Sequence, residues 1–154
     1  MSGDPTGRGV IRQSGVIPFR ITPGGLEVLL ITTSAGRSAG EPRWTIPKGT
    51  VEPDLQPDES AVKEAFEEAG VVGSLLSPSV GSYEYDKCGS PCRVEVFLLE
   101  VEETLEEWPE SSLRDRKWSS WQEARSAVNF DDLRDLIARL PQFLEGFGYP
   151  RAAG

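Results

Sequence analysis

The stretch KGTVEPDLQPDESAVKEAFEEAG, Lys48 to Gly70, decides how this chain is read. Its second half has the marks of a helix that starts near Pro57-Asp58 and stops at Gly70. The last two turns carry Glu64, Glu67 and Glu68. A helix C-terminus is already partly negative, so carboxylates there are mildly unfavourable. Glu64 and Glu68 add a like-charge i,i+4 pair. At about 100° per residue, Val62, Ala65, Phe66 and Ala69 share one core stripe. The three glutamates fall on the opposite side within one arc, where their carboxylates can converge. A solvated acidic face is the ordinary meaning of such a run. Here the helix end disfavours it, and Lys63 lies to one side of the cluster. A local rule broken without local compensation marks a functional site. A hard divalent cation supplies the compensation, and Mg²⁺ prefers oxygen ligands and bridges carboxylates to phosphates.

Outward from this helix, apolar runs alternate with turn signals. Val10–Arg20 and Leu26–Thr33 read as strands joined across Thr22-Pro23-Gly24-Gly25. The second is nearly all apolar or β-branched, as in a strand buried on both faces. Arg43–Pro47 is a short extended piece. Gly81–Tyr85 and Cys92–Val101 form a hairpin around DKCGSP, and Lys117-Trp118 is a short strand. Ser119 or Ser120 caps a helix from Trp121, and Asp131–Leu140 is amphipathic, with Pro141 ending or kinking it. Strands interleaved with helices predict an α/β (α+β) sandwich, a sheet with helices on both faces. One domain is expected over residues 10–147, with a loose arm at 1–9 and an irregular tail at 148–154.

The net charge of −9 argues against nonspecific binding to DNA or RNA. No apolar run is long enough to cross a bilayer, and the first fifteen residues lack a signal-peptide pattern, so a cytoplasmic protein is expected. Cys88 and Cys92 alone do not complete a zinc site and read as free thiols in a turn. The chain has no histidine. Ser-His-Asp and Cys-His catalysis are therefore excluded, and acid–base chemistry falls to Asp, Glu, Lys, Tyr or bound water.

The same residues resemble a known pattern. The Nudix hydrolase (MutT-like) box reads G-x5-E-x7-R-E-U-x-E-E-x-G-U, with U aliphatic. Gly49 opens it here, and Lys63 to Val71 (KEAFEEAGV) fills its second half. RWTIPKG, 43–49, and VEP, 51–53, are also similar to this family. The resemblance spans about Ser14 to Val128 and implies the Nudix-type sandwich, a mixed sheet flanked by helices with a loop-helix-loop catalytic motif. Two positions depart from the box: Leu55 stands where the family has glutamate, and Lys63 where it has arginine. Those two form a supporting ion pair in the family. Glu59, four residues before Lys63 in the favourable orientation, is expected to replace Leu55 as the partner of Lys63. EVLLITTSAGR, EAFEEAGVVGSL and LEEWPESSLRDRKW look like the diphosphoinositol polyphosphate phosphohydrolase branch, with diadenosine polyphosphate hydrolases sharing the approach to the box.

The resemblance implies hydrolysis of a diphosphate bond with Mg²⁺ or Mn²⁺. It implies Glu64 and Glu68 as direct ligands and Glu67 as a third ligand or as the base. Glu64 and Glu67 are the catalytic candidates, and the Gly49 carbonyl is an implied ligand. Substrate charge needs cations, for which Arg12, Arg37, Arg43, Lys48, Arg93 and Arg116 are candidates. Arg114, Arg116 and Lys117 lie close together in an otherwise acidic chain. The expected partner is a phosphorylated small molecule, a diphosphoinositol or dinucleoside polyphosphate. Nudix proteins are often dimers, which leaves a homodimer open. Two alternatives stay open: a nucleoside triphosphate or RNA 5′-end pyrophosphohydrolase, and a non-catalytic module that senses a nucleotide.

Overall fold

A computed structural model describes residues 9–33 and 43–150. The strands are β1 (Ile11–Thr22), β2 (Gly25–Thr32), β3 (Trp44–Thr45), β4 (Lys48–Thr50), β5 (Val71–Lys87), β6 (Ser90–Thr104) and β7 (Arg116–Ser120). Helix α1 (Pro57–Glu64) runs into a π-helical turn, Ala65–Ala69. Helices α2 (Trp121–Ala127), α3 (Asp131–Ala138) and α4 (Leu140–Gly146) follow β7.

One mixed sheet runs β3-β2-β1-β6-β5, with β4 on β1 and β7 on β2. β1 and β6 pair in parallel and the other pairs are antiparallel. β1 changes partner along one edge: Gln13 to Gly15 pair with β4, and Phe19 to Thr22 pair with β2. The main cleft opens beside this parting.

Alternation along the strands fills two cores. Ile17, Phe19, Val28, Leu30, Val94, Val96 and Leu98 face α2, α3 and α4, where they meet Ala124, Leu133, Leu136, Ile137 and Leu140. Val16, Leu29, Ile31, Phe97 and Leu99 face the other way, onto Ala61, Ala65 and Ala69. Burial on both faces explains why β2 reads as a continuous apolar run. The sandwich expected from the sequence is the fold observed.

Three readings change. Val62 and Phe66 do not face the core; each is 41% exposed. The buried positions are Ser60, Ala61, Ala65, Glu68 and Ala69, a helical stripe displaced by about a residue. Methyl-sized side chains let α1 lie close on the sheet, and the larger apolar residues point away. The β5–β6 hairpin is longer than expected, because β5 begins at Val71 directly after the helix. Its turn is Cys88-Gly89, with φ of 51° and 82°. Both thiols are free, as read. Pro141 lies in the first turn of α4, the position a helix tolerates. Beyond α4, Tyr149 packs edge-on against Phe19 and donates to Glu100 Oε1 at 2.6 Å, anchoring this part of the tail.

Candidate active site

The site forms where the end of α1 meets β4. At the helix start, the Gln56 amide donates to Glu59 Oε1 at 2.9 Å, half of a capping box. At its end, Gly70 takes φ 64°, the left-handed turn that glycine adopts without strain. The π-helical turn between carries Glu67 and Glu68.

Glu68 is buried, 8% exposed, between two donors. The Lys48 amide donates to its Oε1 at 2.9 Å, and Arg114 Nη2 donates to its Oε2 at 3.2 Å. Burial pushes its carboxyl up to about 7 against the pull of Arg114 and the Lys48 amide. Glu64 is also held above the ordinary carboxylate range, first by burial and then by the like charges of Glu67 and Glu110. Its carboxylate lies over the Cα of Gly49. A methyl group on Gly49 would come within 2.5 Å of Glu64 Oε2 and closer still to Oε1. Only glycine leaves room for that carboxylate.

Glu64, Glu68 and Gly49 line a cleft of about 570 Å³ together with Arg43, Lys48, Lys87, Arg114, Tyr85 and Phe130. Lys48 Nζ donates to Tyr85 Oη at 3.1 Å, and Tyr85 donates to Gln13 Oε1 at 2.8 Å. Burial lowers the Lys48 ammonium from its ordinary value, against the pull of Glu68.

The donor set fits a hard divalent cation. Two carboxyls that burial holds above the ordinary range share the cleft with Gly49, and a cation there would favour their charged forms. Among the described residues, no three His, Cys, Asp or Glu side chains are grouped to cage a metal. Mg²⁺ needs no such cage, since one or two carboxylates plus waters and substrate phosphates commonly hold it.

The other candidates separate. Glu67 is not part of the cleft lining. Arg12 and Arg93, neighbours across β1 and β6, line a second cleft of about 270 Å³ with Ser79, Ser82 and Glu95. Gln13 lines both clefts. Arg37 lies outside the described residues. Arg116 is not free for substrate: Nη1 donates to the Ala69 and Gly70 carbonyls at 2.7 and 3.3 Å, Nη2 donates to the Leu105 carbonyl, and the guanidinium stacks on Trp108. Its neighbours also part. Arg114 points into the cleft, and Lys117 lies over Trp44.

Glu59 does not pair with Lys63. Its carboxylate caps α1, and Lys63 Nζ donates to Glu52 Oε1 instead. Glu52 stands in the turn that precedes Leu55, where the Leu55 amide donates to the Glu52 carbonyl at 3.1 Å. The turn brings this carboxylate back over the helix. Glu110 and Trp108 had no assigned role in the sequence. Glu110 gave one signal, its i,i+4 spacing from Arg114, to which it is bonded at 2.8 Å.

A family model described as NUDIX domain matches residues 11–140. The chain belongs to the Nudix hydrolase family. It is 30% identical over 153 residues to Nudix hydrolase 12, mitochondrial, of Arabidopsis thaliana, covering 86% of this chain and 73% of that one. Over 100 residues it is 39% identical to mouse diphosphoinositol polyphosphate phosphohydrolase 3-alpha, covering 64% of this chain and 57% of that enzyme. The fold matches a C. elegans Ap4A hydrolase binary complex with TM-score 0.75 at 24% identity, covering 89% of this chain and 99% of that one. Within this Nudix hydrolase, the two departures at Leu55 and Lys63 leave Glu64, Glu67 and Glu68 of the box in place. No helix among the described residues is long and apolar enough to cross a membrane.

Proposed function

We propose that this Nudix hydrolase cleaves a diphosphate linkage in a polyphosphorylated small molecule, a dinucleoside polyphosphate or a diphosphoinositol polyphosphate, with Mg²⁺ or Mn²⁺. The observation that carries the reading is the joining of Glu64, Glu68 and Gly49 with Arg43 and Lys48 in one cleft. Acidic groups for a cation and basic groups for phosphate are both needed, and both are present.

Glu64, Glu68 and the Gly49 carbonyl would hold the cation, with Glu67 as a further candidate. When bound, a divalent cation neutralises phosphate charge and acidifies a water. The chain's own groups do the rest. Arg43 and Lys48 take up phosphate oxygens, and the Lys48 ammonium is fixed for this by Tyr85. The Lys48 amide and Arg114 keep the Glu68 carboxylate in one orientation. With no histidine in the chain, a carboxylate accepts the proton. Of the two catalytic candidates, Glu64 lines the cleft and Glu67 does not, which favours Glu64 for this role.

The second cleft extends the reading. Arg12 and Arg93 stand one residue, Gln13, away from the main cleft. Two clefts with basic residues that share Gln13 in their walls suit a substrate whose phosphates spread beyond a single triphosphate. Glu95 and Glu84 moderate the charge there, and Glu84 lies 3.8 Å from Arg93. The sensor alternative drew its support from Leu55 and Lys63, and the Glu52 partner of Lys63 weakens it. Two free thiols suit a reducing compartment such as the cytoplasm.

The test is incubation with Mg²⁺ or Mn²⁺ and diadenosine polyphosphates, inositol pyrophosphates and nucleoside triphosphates, with phosphate-bearing products measured. Turnover that disappears in Glu68→Gln supports the reading. Tight ligand binding without turnover of any substrate would replace it with the sensor.

A further inference from the structure

We propose that Trp108 and Arg116 are positioning residues that clasp the π-helical turn following α1 and thereby fix the Glu68 carboxylate. The inference rests on the proposed reading for its link to metal, but not for its geometry.

The last carbonyls of a helix have no partner within the helix and usually turn to water or a cap. Here four consecutive ones accept from a single segment, residues 105–116. The Glu110 amide donates to the Glu67 carbonyl at 3.0 Å. Trp108 Nε1 donates to the Glu68 carbonyl at 3.0 Å. Arg116 Nη1 donates to Ala69 and Gly70, and the Leu105 amide donates to Gly70 at 2.8 Å. Arg116 closes the loop by donating through Nη2 to the Leu105 carbonyl, and its guanidinium lies 4.0 Å from the Trp108 ring centre. The clasp packs directly on Gly70, where a methyl group would come within 2.8 Å of both Arg116 Nη1 and Trp108 Cγ.

Two effects follow. The backbone carbonyl of Glu68 is held by an indole from outside the helix, so its side chain starts from a fixed point. Arg116 also sets a full positive charge against the negative helix end, in the place where the carboxylates were hardest to explain. The guanidinium also ties the Ala69, Gly70 and Leu105 carbonyls together, because its planar fork reaches several at once, which an ammonium cannot do.

The test uses Trp108→Phe, which keeps a ring but loses the N–H, and Arg116→Lys, which keeps the charge but loses the fork. The first readout is amide hydrogen exchange by NMR in metal-free protein. The Lys48 amide reports the Glu68 carboxylate directly, because it donates to Oε1. We expect its exchange to quicken on the order of tenfold in each variant, the effect of one hydrogen bond to a charged group. Amides of β6 from Val94 to Leu98, away from its Thr104 end beside the clasp, should keep their protection. The second readout is Mn²⁺ affinity by electron paramagnetic resonance without substrate, expected to weaken about tenfold or more. An unaltered Lys48 amide in both variants overturns the proposal, and so does equal loss of protection across β6. Faster Lys48 exchange in a protein that binds no Mn²⁺ even as wild type supports the clasp and sinks the metal reading instead.

Discussion

Gly49→Ala is the smallest change that separates a glycine needed for space from one that merely occurs in a strand. The φ of Gly49 lies outside the left-handed region, so alanine meets no backbone strain there. The added methyl would stand 2.5 Å from Glu64 Oε2, whereas ordinary van der Waals contact begins at 3.4 Å. The Glu64 carboxylate must therefore retreat by about 1 Å, a misplacement that can cost about 10²-fold in rate. That factor corresponds to about 3 kcal/mol of transition-state stabilisation. The obstacle is the end of a flexible side chain, so the fold should hold and the melting temperature should change little. The assay is steady-state hydrolysis of the best substrate from the panel above, paired with Mn²⁺ titration. A variant with wild-type kcat and wild-type Mn²⁺ affinity would refute the placement of Glu64 over Gly49 as a functional feature.

Four further outcomes are expected. Glu52→Ala and Lys63→Ala should each lower kcat by a similar factor, with the double variant no worse than either; additive losses would show that the two do not act as a pair. Glu59→Ala should cost about 0.5–1 kcal/mol of stability through the lost cap, seen in chemical denaturation, with kcat unchanged; a fall in kcat would return Glu59 to the site. In chelator, the raised carboxyl of Glu68 binds its proton more tightly folded than unfolded. Its contribution is fully present below about pH 4.5 and is lost as pH rises through about 7. Melting in EDTA should accordingly show stability falling over this window by up to the order of 3 kcal/mol, and Mg²⁺ at pH 8 should restore it; a flat EDTA profile counts against a desolvated Glu68. Arg93→Ala and Arg12→Ala should raise KM for the longest polyphosphates and leave kcat for the shortest nearly unchanged, and equal effects on all substrates would remove the second cleft from the binding site.

The sheet and the box were legible because their signals are local and repeated. β2 shows its two-sided burial in eight residues, and Gly49 with Glu64 to Gly70 keeps a fixed spacing. What escaped depends on how neighbours in sequence diverge in space. Arg114 and Arg116 look like one basic cluster, yet Arg114 enters the cleft and Arg116 turns to the helix end. Glu59 has ideal helical spacing from Lys63, but it lies in the first turn, where a free backbone amide competes for its carboxylate. Glu52 wins Lys63 through a turn that no helical periodicity describes. The core stripe of α1 departs from the expected one because close packing on the sheet selects alanine over the larger apolar residues.

The parting of β1 between β4 and β2 has a consequence for how this enzyme can change. The cleft beside it has two kinds of wall. One is the continuous segment from β3 to β4: Thr45, Ile46, the Lys48 amide and Gly49. The other is side chains from separate loops and strands, among them Arg43, Lys87, Asn129 and Phe130. Mutation can rewrite the second kind without touching the first. New substrate preferences are thus open to single substitutions at these outer positions, while Gly49, Glu64 and Glu68 keep the chemistry in place.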